Sequence, residues 1–273
     1  MAASDLPTEV RRRYNFADSS EGLLMDTAVT PLPSEAPMSE PARILNTFIA
    51  PSKTFSDLQR NASWWGPFVL TVLLTFVFVG VMGRQIGFDQ VSRNELAKSP
   101  RRVEQMEKLP ADQRAQQMEL SATITKYISY ASPVFVLLGW LITAGVLMGA
   151  FNFGAGASVP FKTAFAIAAY GGLPWVIHAL LSILSMLAGV DKEAFNIRNP
   201  VGTNPSYFMD PAGNKFILGL ASAFDVFAIW CIVLMGIGFA CNSRVKRSTA
   251  IVIVAAIFFV YKLIGAGMAA LFS

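Results

Sequence analysis

Apolar residues gather in five runs along the chain, near positions 64–83, 128–152, 161–189, 216–241 and 249–272. As a helix, each is long enough to cross a hydrocarbon layer that needs about 20 residues. Between them the pattern changes character. The first connection, 84–127, carries "RRVEQMEKLPADQRAQQMEL", which predicts two solvated helices broken at Pro110, the second running straight into the second span. The third connection, 190–215 ("NIRNPVGTNPSYFMDPAGN"), is polar and turn-rich and predicts irregular chain. The fourth, "NSRVKRS", holds Arg244, Lys246 and Arg247 and no acid.

Ahead of the first run, "ARILNTFIAPSKTFSDLQRNASWWGP" predicts two short interfacial helices. Ile44, Leu45, Phe48 and Ile49 share one helical face, and after Pro51 a second piece presents Phe55 and Leu58. Both are too short and polar to span, and Trp64 and Trp65 mark the depth at which the first span begins. Residues 1–41 ("VTPLPSEAPMSEP") have no apolar period and predict a disordered cytoplasmic tail, either a solvated extension or a docking motif for a partner. The expected fold class is all-α: a polytopic membrane protein, a bundle of five transmembrane helices with an interfacial N-terminal helix. A tail at 1–41 precedes a membrane domain at 42–273.

Composition sharpens this reading. The chain is 53% apolar and 15% charged, against about 25% charged in soluble domains, which marks an integral membrane protein. Seven acids outweigh Arg11, Arg12 and Arg13 in residues 1–40, a net of −4, so the remainder carries +8 of the total +4. That bias suits loops against an anionic membrane surface, and no aromatic-basic patch points to nucleic acid. The purely basic fourth loop, with Arg43, Lys53 and Arg60 before the first span, places the N-terminus in the cytoplasm and the C-terminus outside.

Candidate chemistry is sparse. Cys231 and Cys241 stand ten residues apart in one run, too far for a disulfide on one helix, and no metal spacing occurs. His178 is the single histidine and shares a helical face with Ser182 and Ser185. Either it glues helices by hydrogen bonds or it takes part in a proton relay or dyad, though no GxSxG elbow accompanies it. "AAYGGLPWV" interrupts the third span: Pro174 breaks the helix, and Gly171 and Gly172 beside Tyr170 let neighbouring backbones approach. No enzymatic constellation and no cofactor or metal site is read from the sequence.

Asp225 and Lys262 are ionisable residues inside apolar runs joined by the short fourth loop. Counted from residue 245 as the turn, they lie 20 and 17 positions away, a mismatch of about 4.5 Å in helical rise. Small residues flank both. A lone charge at the bilayer centre costs about 2.5–3.5 kcal/mol on insertion scales, so the two are expected to pair inside the membrane, directly or through a water. The alternative is that Lys262 snorkels to an interface.

"FIAPSKTFSDL" before the first span, "YGGLP" in the third and "SAFDVFAIWCIVLMGIGFA" in the fourth resemble the bacterial branch of the Yip-one (Ypt/Rab-interacting) domain family of multispan membrane proteins. The resemblance covers about 44–272. It implies five spans with a cytoplasmic N-terminus, Tyr170, Gly171 and Pro174 on the family's break, and a non-enzymatic role in a bacterial cytoplasmic membrane. Eukaryotic members bind small GTPases in vesicle traffic, but the "DLYGP" stretch of their N-terminal region is missing here. The expected function is therefore a membrane scaffold or organiser. The alternative is a small transporter or channel subunit using Asp225, Lys262 and His178 along a polar path. The expected partners are the lipid bilayer and other membrane or cytoplasmic proteins.

Overall fold

A computed structural model describes residues 37–271, and among them regular structure is helical throughout, with no strand. The tail expected at 1–41 lies outside the described residues up to position 36. Glu40 and Pro41 already belong to the first helix, α1 (Glu40–Ile49). Pro51 opens α2 (Pro51–Asp57), where its missing N–H has no helical partner to lose.

The two short helices do not simply lie on the membrane surface. Ile44 and Phe48 pack against the core while Leu45 and Ile49 face outward, 60% and 70% exposed. Phe55 and Leu58 are fully buried. α2 is seated in the end of the bundle because Gly238 leaves room for it: a Cβ there would come within 3.0 Å of the Phe55 ring. Amphipathic period alone marks an apolar face, and it cannot tell a lipid interface from a protein one.

The first span, α3 (Trp65–Gln85), stops at Gly87, whose φ of 89° suits glycine, and α4 (Phe88–Ala97) begins there. α5 (Pro100–Glu107) follows, then α6 (Ala111–Gly149), which continues as a π-helical turn, Ala150–Gly154. Pro110 separates α5 from α6, and α6 runs unbroken from water into the second span. The third span is α7 (Phe161–Gly171) and α8 (Pro174–Leu187). The fourth apolar run is not one helix. α9 (Lys215–Ala221) and a 3₁₀ turn, Ser222–Phe224, meet α10 (Val226–Cys241) at a 55° bend. α11 (Arg247–Leu271) ends the described chain. Among the described residues, four helices are thus long and apolar enough to cross a membrane, or five if the bent pair is one span.

The third span is the hub. Of its most apolar window 56% is buried inside the protein, against 17% or less for α3, α6 and α11. Those three face outward, as lipid-exposed helices must. Every residue from Ala164 to Gly171 is buried, and its alanines let α6 and α10 close on it from either side.

Contacts define two ends. At one, α2 meets the α10–α11 turn: Asn242 Nδ2 donates to the Phe55 carbonyl at 2.9 Å, Gln59 Nε2 to Cys241 O at 2.6 Å, and Arg247 Nη2 to Ser52 Oγ at 2.9 Å. At the other, Asn94 Nδ2 donates to the carbonyls of Lys192 and Phe195 at 2.7 and 2.9 Å, and Lys215 Nζ to Lys98 O at 2.9 Å. The bent pair therefore starts beside α4 and finishes beside α2, linking the two ends.

Candidate functional site

Two polar clusters flank the break in the third span. The first was not foreseen from the sequence. Tyr170 donates its hydroxyl to Glu40 Oε2 at 2.5 Å, and Glu40 Oε1 accepts from Arg43 Nη1 at 3.2 Å. Arg43 Nε donates in turn to Asp57 Oδ2 at 2.7 Å. Thr47 and Thr54 donate their hydroxyls to the Arg43 carbonyl at 2.8 and 3.0 Å. The chain of contacts ties α1, α2 and α7 together around an arginine that is 1% exposed.

Burial alone would lower the Arg43 pKa, but its bond to Asp57 and the attraction of that carboxylate leave it raised, so the guanidinium stays charged. One of its nitrogens, Nη2, is buried without a hydrogen-bond partner among the described residues. Gly66, in the first turn of α3, makes space for the carboxylate: a Cβ there would fall 2.5 Å from Glu40 Oε2. A buried pair of this kind adds little stability over an apolar replacement, but removing one partner costs about 3–5 kcal/mol.

At the break, α7 ends on Gly171 and α8 starts on Pro174, with Gly172 and Leu173 forming the turn. Leu173 N donates to Tyr170 O at 3.1 Å, which occupies the carbonyl four residues back that Pro174, lacking an N–H, cannot serve; Trp175 N and Val176 N donate to Gly172 O and Leu173 O at 3.1 and 2.9 Å. Gly171 lies under α10; a Cβ there would come 2.4 Å from Met235 Cγ. Past the break, the His178 ring sits edge-on between Trp175 and Phe227, at 5.2 and 5.4 Å. Its imidazole has no hydrogen bond among the described residues. Ser182 Oγ turns back to the His178 carbonyl at 2.8 Å, and Ser185 is only partly buried. The serines therefore do not bridge helices through this histidine.

The second cluster centres on Asp225, which is 4% exposed. Its backbone is extended (φ −76°, ψ 130°) and it caps α10: Oδ1 accepts from the N–H groups of Phe227 and Ala228 at 2.9 and 3.2 Å. Oδ2 accepts from Thr203 Oγ1 at 2.5 Å and Asn204 Nδ2 at 3.0 Å. Val226 N donates to Thr203 O at 3.1 Å, closing the loop onto the bend.

The direct Asp225–Lys262 contact anticipated from helical counting is not formed. Lys262 Nζ instead donates to Ser222 Oγ at 3.3 Å and lies 5.7 Å from the centre of the Phe258 ring. The counting assumed two straight helices. The bend places Asp225 at the start of α10, facing the loop, and leaves α9 opposite Lys262, where Gly219 and Ala266 meet (a Cβ on Gly219 would lie 2.7 Å from that of Ala266).

Glu40, Arg43, Asp57, Thr203 and Asn204 escaped the sequence reading. One signal was available for the second cluster: aspartate is a favoured N-cap, and Asp225 stands directly before an apolar helix. For the first, Arg43 sits one turn from Glu40, which reads equally as a surface pair.

A hub helix wrapped by lipid-facing helices, with its polar groups turned inward to one another, defines a polytopic helical membrane protein. The chain belongs to the Yip1 domain family, whose model matches residues 45–268. Comparison with curated proteins and with solved structures finds no match.

Proposed function

We propose that the chain is a non-enzymatic scaffold or organiser in a bacterial cytoplasmic membrane, with its N-terminus in the cytoplasm and its C-terminus outside. The observation that carries this reading is the state of Asp225. Both oxygens of the buried carboxylate are taken up by four donors of its own chain, so it fastens a bend and offers nothing to a passing solute. Lys262 is tethered to the same bend through Ser222, and in this reading Asp225 and Lys262 each fasten the bend without touching one another. The family is not a known enzyme family, and a role in holding other proteins or the bilayer fits a molecule whose polar groups are internally engaged.

The second reading, a transporter or channel subunit, rests on a different observation. Both breaks, Gly171–Pro174 and Ser222–Asp225, lie beside one another, with Trp175 and His178 on one side and Phe227 on the other. Discontinuous helices paired in this way are a common setting for solute sites. The experiments that separate the two are an affinity capture from membranes with and without residues 1–36, and a flux assay in proteoliposomes. Specific co-purification without flux supports the scaffold. Flux that is lost on Asp225→Asn would replace it with the transporter.

A further inference from the structure

The end of the bundle where α2 meets the α10–α11 turn is charged almost entirely with one sign. Lys53, Arg60, Lys162, Arg244, Lys246 and Arg247 are all exposed. Its acids among the described residues are Glu40 and Asp57, and Arg43 engages both. Lys53, Lys162, Arg244 and Lys246 enter no ion pair among the described residues. The opposite end is different. Residues 84–127 and 190–215 hold eleven basic residues against nine acids. Several of those cations are answered within the chain: Lys98 and Arg198 by Glu95, and Lys108 by Glu104.

The unanswered cations sit on a fixed platform. Ser243 Oγ donates to Phe239 O at 2.7 Å and accepts from Val245 N at 3.3 Å, while Asn242 Nδ2 donates to both Gly238 O and Phe55 O at 2.9 Å. Arg247 reaches across to Ser52, which brings Lys53 and Lys246, the neighbours of the bridged pair, to the same edge of the bundle. Arg247 is also the first residue of α11, so these charges stand where a span leaves the hydrocarbon. Leu45, Ile49, Trp65 and Phe153 are exposed around this end. A headgroup layer accommodates both the apolar and the basic side chains; a nucleic acid or an acidic protein in water would answer the charge alone.

We propose that this end binds the phosphodiester headgroups of anionic phospholipid, with Lys53, Arg244 and Lys246 as the contacting cations and Arg247 holding α2 beside the turn. Basic clusters next to a span draw anionic headgroups within a Debye length of the surface. The choice of an anionic over a zwitterionic lipid follows from the acids. Glu40 and Asp57 are spent on Arg43, so no carboxylate is left to meet a choline or ethanolamine ammonium. A lipid that touches Lys53 and Lys246 together clamps α2 onto the turn, and the anionic lipid content of the leaflet then tunes how firmly the N-terminal helices are seated. The site needs only an anionic leaflet, whichever side of the membrane it faces.

The test is the melting temperature of the purified full chain in neutral detergent micelles, titrated with phosphatidylglycerol, phosphatidylcholine or inorganic phosphate. Phosphatidylglycerol should raise it to a plateau, because the lipid binds the folded state; the other two should leave it unchanged. Lys53→Gln or Lys246→Gln alone should raise the half-maximal phosphatidylglycerol fraction about fivefold. The triple variant Lys53→Gln, Arg244→Gln, Lys246→Gln should lose the response. Its melting temperature without lipid reports whether the fold survives, and Arg247 is left unaltered to keep its bond to Ser52. Arg101→Gln, Arg102→Gln, Lys126→Gln, which removes the same charge from exposed positions at the opposite end, should keep the response. An equal loss in that second triple would overturn the site, as would an equal rise with phosphatidylcholine. A rise of the same size with inorganic phosphate would overturn it in favour of a free anion.

Discussion

The hydroxyl of Tyr170 and the carboxylate of Glu40 meet at 2.5 Å across 130 residues of chain. The contact carries Arg43 and Asp57 with it, and so couples the two N-terminal helices to the residue just before the break in the hub span.

Removing single members of this cluster should separate its parts. Tyr170→Phe deletes one bond to a charged acceptor and should lower stability by about 1.5–3 kcal/mol. Arg43→Met leaves Asp57 buried without its partner and should cost about 3–5 kcal/mol, part of it recovered by adding Asp57→Leu. Thermal unfolding in detergent reads all three. Equal melting temperatures for Arg43→Met and the unaltered protein would show that the cluster contributes nothing.

Close helix approaches give a second, graded expectation. At Gly236 a Cβ would lie 2.7 Å from the Ile251 Cα, so Gly236→Ala must push α10 and α11 apart, costing about 1–3 kcal/mol. At Gly171 the nearest atom belongs to the flexible Met235 side chain, so Gly171→Ala should cost less. Gly80 has nothing within 4 Å, and Gly80→Ala should be neutral or stabilising by up to about 1 kcal/mol. A different order of melting temperatures would contradict the helix packing described here.

Asp225 and Lys262 predict an asymmetry. Asp225→Ala loses a helix cap, worth about 0.5–2 kcal/mol, and also strands Thr203 and Asn204, whereas Asp225→Asn keeps an oxygen for the cap. Folded yield should follow the order unaltered, Asn, Ala. Asp225→Lys and Lys262→Asp should each lower yield, and the double variant should not regain the loss, because a lysine at 225 cannot accept from Thr203, Asn204 or the N–H groups of Phe227 and Ala228. Recovery in the double variant would show that the two charges pair directly.

Orientation and tail are checked together. A reporter active only outside the cytoplasm should be silent when fused near Arg247 and active after Ser273. Deleting residues 1–36 should leave insertion and the melting temperature unchanged, because α1 starts only at Glu40. A reversed reporter pattern inverts the assigned orientation, and a drop in folded protein shows that the tail contributes to stability.

What the sequence discloses here is one-dimensional. Long apolar runs reveal themselves because the bilayer fixes their length, and the interruptions at Pro110 and Pro174 are written in residues with few backbone choices. The bend at Asp225 is harder to see. Mean apolarity stays high through "LASAFDVFAIW", and the break falls there because Asp225 caps the next helix while Thr203 and Asn204 from a distant loop hold its second oxygen. The Arg43 cluster is harder still, since Glu40, Arg43 and Asp57 look like ordinary interfacial charges until α7 supplies Tyr170. Cross-chain partners leave no periodicity in either segment.

The seating of α2 has a consequence for how the protein is made. Phe55 rests beneath Gly238, and its carbonyl is held by Asn242, 187 residues downstream. At about 5–20 residues per second of synthesis, the N-terminal helices wait roughly 10–40 s before their socket exists. During that interval Arg43 and Asp57 can join one another, but Phe55 and Leu58 have nowhere in the protein to go. Their burial therefore follows the synthesis of α10, and an N-terminal fragment that stops before Gly238 lacks the socket for Phe55.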